Sequence, residues 1–187
     1  MCGIAGAAAF DGKVLDPRVV GAMTSALAHR GPDDDGCVAL IRGSGCVHEW
    51  APSRDPGPSL EASVVLGNRR LSIVDLSPLG HQPMASADGR YWIAYNGEVY
   101  NYHELRSELE RDGVVFRGGS DTEVVLAAFA RWGTGCFARF NGMWAIAIYD
   151  IEGETLTLSR DRFGVKPLYL YLACLLYTSD AADDTPC

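Results

Sequence analysis

The sequence predicts a single α+β domain. Its 187 residues, 48% hydrophobic and 21% charged, suffice for one hydrophobic core and have the composition of a globular protein. Short apolar runs rich in β-branched and aromatic residues predict strands, and two of them, residues 143–149 and 155–159, predict an antiparallel pair around an acidic loop. Capping residues and apolar periodicity predict three helices elsewhere in the chain.

The N-terminal half is predicted to hold one helix among several strands. Asp16-Pro17 predicts a helix from Arg18 that ends before Gly31-Pro32. The predicted apolar face of this helix consists of Val19, Val20, Met23, Ala26 and Leu27. Strands are predicted over residues 3–10, 37–41, 46–50, 64–67 and 71–74. Residues 51–59, with three prolines, predict an irregular surface insertion.

The strand predicted over residues 91–95 runs directly into Asn96-Gly97. Such a pair most often forms a hairpin turn, and that interpretation stays open at this point. However, no strand is predicted directly after this pair. Asn101 and Glu104 instead indicate the capped start of a helix over residues 102–111. A strand ending in Asn-Gly could also direct a side-chain amide and an unhindered backbone N–H at one point.

The next segment predicts a short strand, a capped helix and a helical turn. The strand covers residues 114–116. Ser120 is the predicted N-cap of a helix over residues 122–132, with Glu123 at the capping-box position. The predicted inward side chains of this helix are Val124, Val125, Ala128 and Phe129. A helical turn is predicted over residues 136–140.

Charge and composition argue against several classes of partner. The net charge is −8, the sequence pI is about 4.9, and no basic block is present. We therefore expect no nucleic-acid partner and no anionic membrane partner. The sequence has no apolar run long enough to span a bilayer and no secretory signal at its start, which predicts a cytoplasmic location. The six cysteines form no Cys-x-x-Cys pair, so neither a metal site nor a disulfide framework is expected.

Cys2 is the first candidate functional residue. If Met1 is removed, this residue carries both a thiol and a free α-amine. A thiolate is a strong nucleophile, and an α-amine, which ordinarily titrates near about pH 8, can serve as its base. A cysteine that merely follows Met1 is the alternative.

Arg70 is the second candidate, because it lies between two predicted buried strands. An unpaired buried guanidinium is costly. Arg70 is therefore either part of a structural ion pair or a binder of a carboxylate.

Six separated blocks, in order, carry a resemblance to a known family. They are Cys2-Gly3-Ile4, His29-Arg30-Gly31-Pro32-Asp33, Arg70-Leu71-Ser72-Ile73-Val74-Asp75, Asn96-Gly97-Glu98-Val99-Tyr100-Asn101, Gly119-Ser120-Asp121-Thr122-Glu123 and the run from Arg160-Asp161 to Tyr169. Over residues 2–170 the chain resembles a class II glutamine amidotransferase domain, more narrowly the glutaminase domain of a glutamine-hydrolysing asparagine synthetase. The resemblance implies an N-terminal-nucleophile hydrolase fold, a four-layer α/β/β/α sandwich of two antiparallel sheets.

The resemblance also implies a reaction and a set of site residues. Cys2 would attack the carboxamide of L-glutamine with its own α-amine as base, and Asn96 and Gly97 would form the oxyanion hole. Arg70 would hold the α-carboxylate and Asp121 the α-ammonium. The remaining substrate-binding residues that it implies are Leu71, Ser72, Ile73, Val74 and Glu98.

The family's acceptor half, a synthetase domain that uses ATP and Mg²⁺ to activate aspartate, has no counterpart in this sequence. We expect an incomplete glutaminase domain over residues 2–172 without a cofactor, from a parent whose assembly as a homodimer is left open. Residues 173–187 resemble translated read-through of a sequencing-library adapter and are expected to be non-native.

The sequence departs from the family's pattern in two places. Asn68 replaces the usual His, and we expect only an indirect effect. An insertion at residues 43–59 is expected near the pocket rim.

Three alternatives stay open. Arg117-Gly118-Gly119-Ser120-Asp121-Thr122 partly matches the pyrophosphate loop Ser-Gly-Gly-x-Asp-Ser of ATP pyrophosphatases, although Arg117 replaces the leading Ser. Relatives that amidate sugars or close rings in natural-product pathways share the blocks at residues 70–75 and 96–101. A non-catalytic scaffold domain is the third, which the presence of Cys2 argues against.

Overall fold

The computed structural model describes residues 2–10, 12–71 and 77–172. Within these ranges the strands are β1 (Gly3–Ala8), β2 (Asp34–Leu40), β3 (Val47–Trp50), β4 (Val64–Arg70), β5 (Met84–Ala85), β6 (Tyr91–Val99), β7 (Gly142–Asp150) and β8 (Thr155–Arg160). The α-helices are α1 (Pro17–Ala26), α2 (Tyr102–Arg111) and α3 (Asp121–Trp132). Two 3₁₀ segments cover Pro78–Gly80 and Gly133–Arg139.

The described strands form two four-stranded antiparallel sheets. The first has the order β1-β4-β2-β3 and the second β5-β6-β7-β8. In the first sheet, Gly3 pairs with Arg69, so the start of the chain lies beside the end of β4. In the second sheet, β7 pairs along its length with β6 and then with β8, which confirms the predicted antiparallel pair of residues 143–149 and 155–159.

The sheets stack face to face, and helices cover their outer faces. An apolar layer between the sheets joins Val38 and Leu66 of the first to Trp92 and Tyr149 of the second. α1 packs on the outer face of the first sheet, and α2 and α3 cover the second. The fold is therefore the α/β/β/α sandwich that the resemblance implies, and it places the start of β1, the end of β4 and the second half of β6 near one another.

The apolar face predicted for α1 is partly wrong. Val20 is buried, but Val19 and Met23 are 58% and 45% exposed. Thr24 faces the sheet instead and is completely buried. A small residue is needed there because α1 lies so close to β4 that a Cβ at Gly67 would overlap the Thr24 hydroxyl.

β6 is longer than predicted. It continues from Tyr91 to Val99, so Asn96 and Gly97 lie inside a strand and pair with β7. The hairpin-turn interpretation of Asn96-Gly97 is therefore wrong. The prediction that this pair faces a functional site does not depend on a strand end.

Two other predicted strands differ from the structure. β4 continues through Arg70, and of the strand predicted over residues 71–74 only Leu71 is described, outside any strand. Residues 114–116 form no strand, and Val115 is 83% exposed. Their apolar composition fits a strand, but the main chain here continues from α2, where the Val114 N–H donates to the Leu109 carbonyl.

The two predicted helix caps have different outcomes. Ser120 caps α3, because its Oγ accepts from the Glu123 N–H at 3.3 Å. Asn101 precedes α2 but makes no side-chain cap bond. Its amide instead donates to the Arg139 carbonyl and accepts from the Asn141 N–H, which ties α2 to the segment before β7. None of the helices in the described ranges is long and apolar enough to cross a membrane.

Candidate active site

Cys2 lies at the start of β1, where the neighbouring end of β4 fixes its thiol. The Leu71 N–H donates to the Cys2 Sγ at 3.3 Å, and the thiol lies 3.7 Å from the Leu71 carbonyl oxygen. The Arg30 Nε donates to the Cys2 carbonyl at 3.2 Å. These contacts hold a half-buried thiol in one place at the end of a strand.

The thiol opens into a cavity of about 210 Å³ between the two sheets and the start of α3. The sequence-predicted residues that line it are Cys2, Arg70, Leu71, Asn96, Gly97, Glu98 and Asp121. Ser72, Ile73 and Val74 lie outside the described residues. Seven of the ten candidates, from four separate stretches of sequence, therefore converge on one cavity.

Asn96 and Gly97 present an amide and a backbone N–H from the middle of β6. Asn96 is only 4% exposed. A Cβ at Gly97 would overlap the Met143 carbonyl and would lie 2.8 Å from the Trp144 Cα, so the close packing of β6 on β7 requires glycine there. The cavity wall at this point consists of polar groups held rigidly by a sheet.

Arg70 ends β4 and is 8% exposed. Its Nη1 donates to the Ser77 carbonyl at 3.1 Å. The 3₁₀ segment Pro78–Gly80 packs directly on the guanidinium, because a Cβ at Gly80 would overlap it. The cavity therefore has a fixed positive charge on the side of the first sheet.

Asp121 supplies a buried negative charge from the first turn of α3. Its Oδ2 accepts from the Tyr95 Oη at 2.9 Å and from the Val99 N–H at 3.1 Å. Burial raises the pKa of Asp121 above its ordinary value, while these hydrogen bonds act in the opposite direction. Burial and the Asp121 carboxylate raise the pKa of Tyr95 well above its ordinary value, so the phenol stays protonated and can donate.

Comparison with known proteins identifies the family. The profile described as "Glutamine amidotransferase domain" matches residues 54–182. This chain belongs to the glutamine amidotransferase domain family.

The relatives of this amidotransferase domain are longer proteins. A protein of Methanocaldococcus jannaschii, named as a glutamine-hydrolysing asparagine synthetase, is 37% identical over 91% of this chain and 32% of its own length. "Asparagine synthetase [glutamine-hydrolyzing] 1" of Bacillus subtilis is 39% identical over 79% of this chain and 20% of its own length. "Amidase chry2" of Gibberella zeae is 32% identical over 90% of this chain and 24% of its own length. The chain thus spans a fifth to a third of the length of these relatives.

Solved structures support the fold. The amidotransferase domain aligns with glutamine phosphoribosylpyrophosphate amidotransferase from B. subtilis, solved with ADP and GMP, at a TM-score of 0.70 and 22% identity. The alignment covers 86% of this chain and 37% of that chain. An allosteric regulatory enzyme of purine biosynthesis aligns at a TM-score of 0.61 and 20% identity. At these identities the likeness concerns the fold, which is that of the N-terminal-nucleophile hydrolases.

Sequence reasoning missed half of the cavity lining in this amidotransferase domain. The missed residues are Gly80, Gln82, Tyr95, Ser120, Thr122, Met143 and Lys166. Lys166 lies in the last of the six blocks, and Tyr95 directly precedes Asn96, so both could have been found from their neighbours. Gln82 lies in a segment interpreted only as a loop, where no periodicity identifies a buried residue.

The phosphate-loop alternative at Arg117 and Gly118 does not fit the geometry. Their backbone N–H groups donate to the two carboxylate oxygens of Glu123 at 2.8 and 2.9 Å. A phosphate bound there would have to displace this carboxylate and would be repelled by it. Among the described residues, no group of three or more His, Cys, Asp or Glu side chains is placed to hold a metal ion.

The two departures noted in the sequence do not reach the cavity. Asn68 is buried behind its wall, where its Nδ2 donates to the Gln82 Oε1 and the Tyr95 carbonyl. None of the residues 43–59 of the insertion, which was expected near the pocket rim, lines the cavity. Trp50 in this insertion packs against α1 at Gly21.

Proposed function

We propose that this cavity binds L-glutamine and hydrolyses it to L-glutamate and ammonia through a thioester on Cys2. The observation that carries the proposal is that the Cys2 thiol, the Arg70 guanidinium and the Asp121 carboxylate line one cavity. A free α-amino acid offers an α-carboxylate and an α-ammonium, which a fixed cation and a fixed anion can bind. Its side-chain carboxamide then extends toward the nucleophile.

The reaction begins with the mature N-terminus. Once Met1 is removed, the α-amine of Cys2 takes the proton from the thiol, and the thiolate attacks the carboxamide carbon of glutamine. The C–N bond then breaks, the proton passes to the leaving nitrogen, and ammonia departs from a thioester. Water hydrolyses the thioester, which releases glutamate and restores the thiol.

Asn96 and Gly97 are proposed to stabilise the negative charge that develops on the carboxamide oxygen. The support for this role is that both lie on β6 in the wall of the cavity that Cys2 opens into. Because a sheet holds them in place, little reorganisation is needed as the charge develops. Glu98 and Leu71 also line the cavity. The backbone of Ser72, Ile73 and Val74 is proposed to contribute to substrate binding from the segment that follows Leu71.

A glutaminase assay tests the proposal. The 187-residue chain is incubated with L-glutamine, and glutamate and ammonia are measured as separate products. The proposal expects equal amounts of both, loss of activity in Cys2→Ala, and unchanged activity in Cys46→Ala, since Cys46 is exposed and lies outside the cavity. A folded chain, shown by a cooperative thermal transition, that releases no glutamate would contradict the proposal.

We further propose that residues 2–172 act within a longer cytoplasmic parent whose synthetase domain uses ATP and Mg²⁺ to amidate aspartate with this ammonia. The support is that relatives at 37% and 39% identity are named as glutamine-hydrolysing asparagine synthetases. The alternative is a parent with a different acceptor, favoured by the relative named as an amidase. An amidation assay of the full-length parent with L-glutamine, ATP, Mg²⁺ and aspartate distinguishes them, because only the first proposal expects asparagine as a product.

A further inference from the structure

β5 is unusually short, and the chain that precedes it does not continue the sheet. Met84 pairs with Ile93, so a continued register would place Gln82 opposite Tyr95. Pro83 intervenes and has no N–H to donate. The backbone of Tyr95 would therefore lack a strand partner on the β5 side.

Two buried side-chain amides take the place of that strand. The Gln82 Oε1 accepts from the Tyr95 N–H at 2.7 Å, and the Asn68 Nδ2 donates to the Tyr95 carbonyl at 3.1 Å. The same Asn68 Nδ2 also donates to the Gln82 Oε1 at 3.2 Å. Gln82 and Asn68 are 5% and 1% exposed. The two peptide groups on either side of the Tyr95 Cα are thus held by side chains, one by Gln82 and the other by Asn68.

Gln82 also reaches α3. Its Nε2 donates to the Thr122 Oγ1 at 3.2 Å, in a contact that is buried. Thr122 is the chain neighbour of Asp121, just as Tyr95 is the chain neighbour of Asn96. One amide therefore connects the residues that adjoin the two polar walls of the cavity, and Gln82 and Thr122 both line that cavity.

We infer that Gln82 is a positioning residue that fixes the start of α3 relative to β6, and so sets where the α-amino acid end of the substrate binds. The inference rests on the proposed function. The primary amide of Gln82 supplies both parts of the connection, because its oxygen accepts from Tyr95 and its nitrogen donates to Thr122. An apolar side chain in its place loses both bonds.

The test compares two electrophiles at Cys2. The diazoketone 6-diazo-5-oxo-L-norleucine carries the α-carboxylate and α-ammonium of glutamine and needs the amino-acid site, whereas iodoacetamide needs only an accessible thiol. Second-order rate constants for both are measured by mass spectrometry on the full chain. Thr122→Val cuts the connection with little change of shape, Thr122→Ser keeps the hydroxyl, and Gln82→Leu removes both bonds of the amide.

The inference expects Thr122→Val and Gln82→Leu to slow the diazoketone reaction by about ten-fold, as for loss of a buried hydrogen bond that orients a charged group. The iodoacetamide rate at Cys2 should stay within about two-fold, and Thr122→Ser should restore the diazoketone rate. Thr24→Val, which also removes a buried hydroxyl but lies in α1, should change neither rate.

Two results would overturn the inference. If both rates fall together in Thr122→Val, the connection serves the general structure, and if neither falls, it has no role in positioning. Failure of the proposed function gives a different result, since the wild-type Cys2 would then react with iodoacetamide but not with the diazoketone. The Thr122 pair of variants decides the question even if Gln82→Leu does not fold.

Discussion

Tyr95 and Asp121 are joined by a buried hydrogen bond, with 2.9 Å between the phenol Oη and the carboxylate Oδ2, that connects the middle of β6 to the first turn of α3. The same carboxylate oxygen also accepts from the Val99 N–H, at 3.1 Å. The two bonds hold a charged group where a substrate ammonium is proposed to bind. The phenol contributes orientation rather than charge.

Tyr95→Phe is therefore expected to weaken glutamine binding more than it slows turnover. A hydrogen bond to a charged group contributes about 1.5–3 kcal/mol, so KM for glutamine should rise by about ten-fold or more, with a smaller change in kcat. Steady-state glutaminase kinetics measure both. Tyr91→Phe on the same strand is the matched control. A Tyr95→Phe variant with a lower kcat and an unchanged KM would contradict the assigned role.

Asp121→Asn is expected to abolish glutamine hydrolysis and yet stabilise the fold at neutral pH. The folded protein holds the Asp121 proton more tightly than the unfolded chain does, because burial raises its pKa above the ordinary 3.8. The ionised side chain thus costs stability above the folded-state pKa and costs none below the unfolded-state value. The variant's Tm should exceed that of the wild type at pH 7.5, with the gap closing as the pH approaches 4. A pH-independent loss of stability would contradict this.

Gly97→Ala is expected to disrupt both the sheet and the active site. The new Cβ would overlap the Met143 carbonyl and lie too close to the Trp144 Cα. Overpacking of this kind lowers the free energy of unfolding by about 1–3 kcal/mol. Denaturant unfolding should show this loss, and glutaminase activity should fall by more than the folded fraction explains. In Gly135→Ala the Cβ meets nothing within 4 Å, so this control should match the wild type. A stable and active Gly97→Ala variant would exclude a tight fit.

Asp161→Asn is expected to destabilise the turn after β8, because both carboxylate oxygens are occupied by backbone N–H groups. Oδ1 accepts from Phe163 and Val165, and Oδ2 accepts from Trp144 and Lys166. An amide nitrogen in place of one oxygen would face N–H donors, at a cost of about 2 kcal/mol or more.

The pH dependence of this loss has a definite sign. Burial alone would raise the pKa of Asp161, but the four N–H donors outweigh it and hold the pKa below the ordinary 3.8. Its contribution is therefore present above pH 4 and is lost as the pH falls through the lower folded-state pKa. Urea unfolding should show a smaller difference from wild type at pH 3 than at pH 7. Asp112→Asn, which affects only an exposed pair with Arg131, should change stability by less than about 1 kcal/mol at both.

The sequence predicted the parts of the site that its motifs name. Cys2, Arg70, Asn96 and Asp121 were identified from separate blocks, and the structure brings all four to one cavity. The position of Gln82 was not predicted. Its side chain bonds to the Tyr95 backbone where a neighbouring strand would otherwise do so, and no repeating pattern along the chain marks such a contact. Such a contact depends on where β5 stops, which is a property of the folded sheet.

The fold was predicted less evenly. Strands with a partner adjacent in sequence, such as β7 and β8, were found with small errors at their ends. The segment of residues 114–116 was wrongly predicted as a strand because its composition was suitable but no neighbouring strand is available to it. The buried face of α1 was misjudged for a related reason, since its close approach to β4 selects the small Thr24 over larger apolar residues.

Intact-mass and peptide mass spectrometry of the chain, before and after reaction with 6-diazo-5-oxo-L-norleucine, tests the central claim most directly. The account predicts loss of Met1 and a single adduct on Cys2, with labelling blocked by excess L-glutamine and not by D-glutamine. Retention of Met1 on a folded chain, or labelling spread over Cys37, Cys46 and Cys136 without protection by glutamine, would contradict a glutaminase site at the N-terminus.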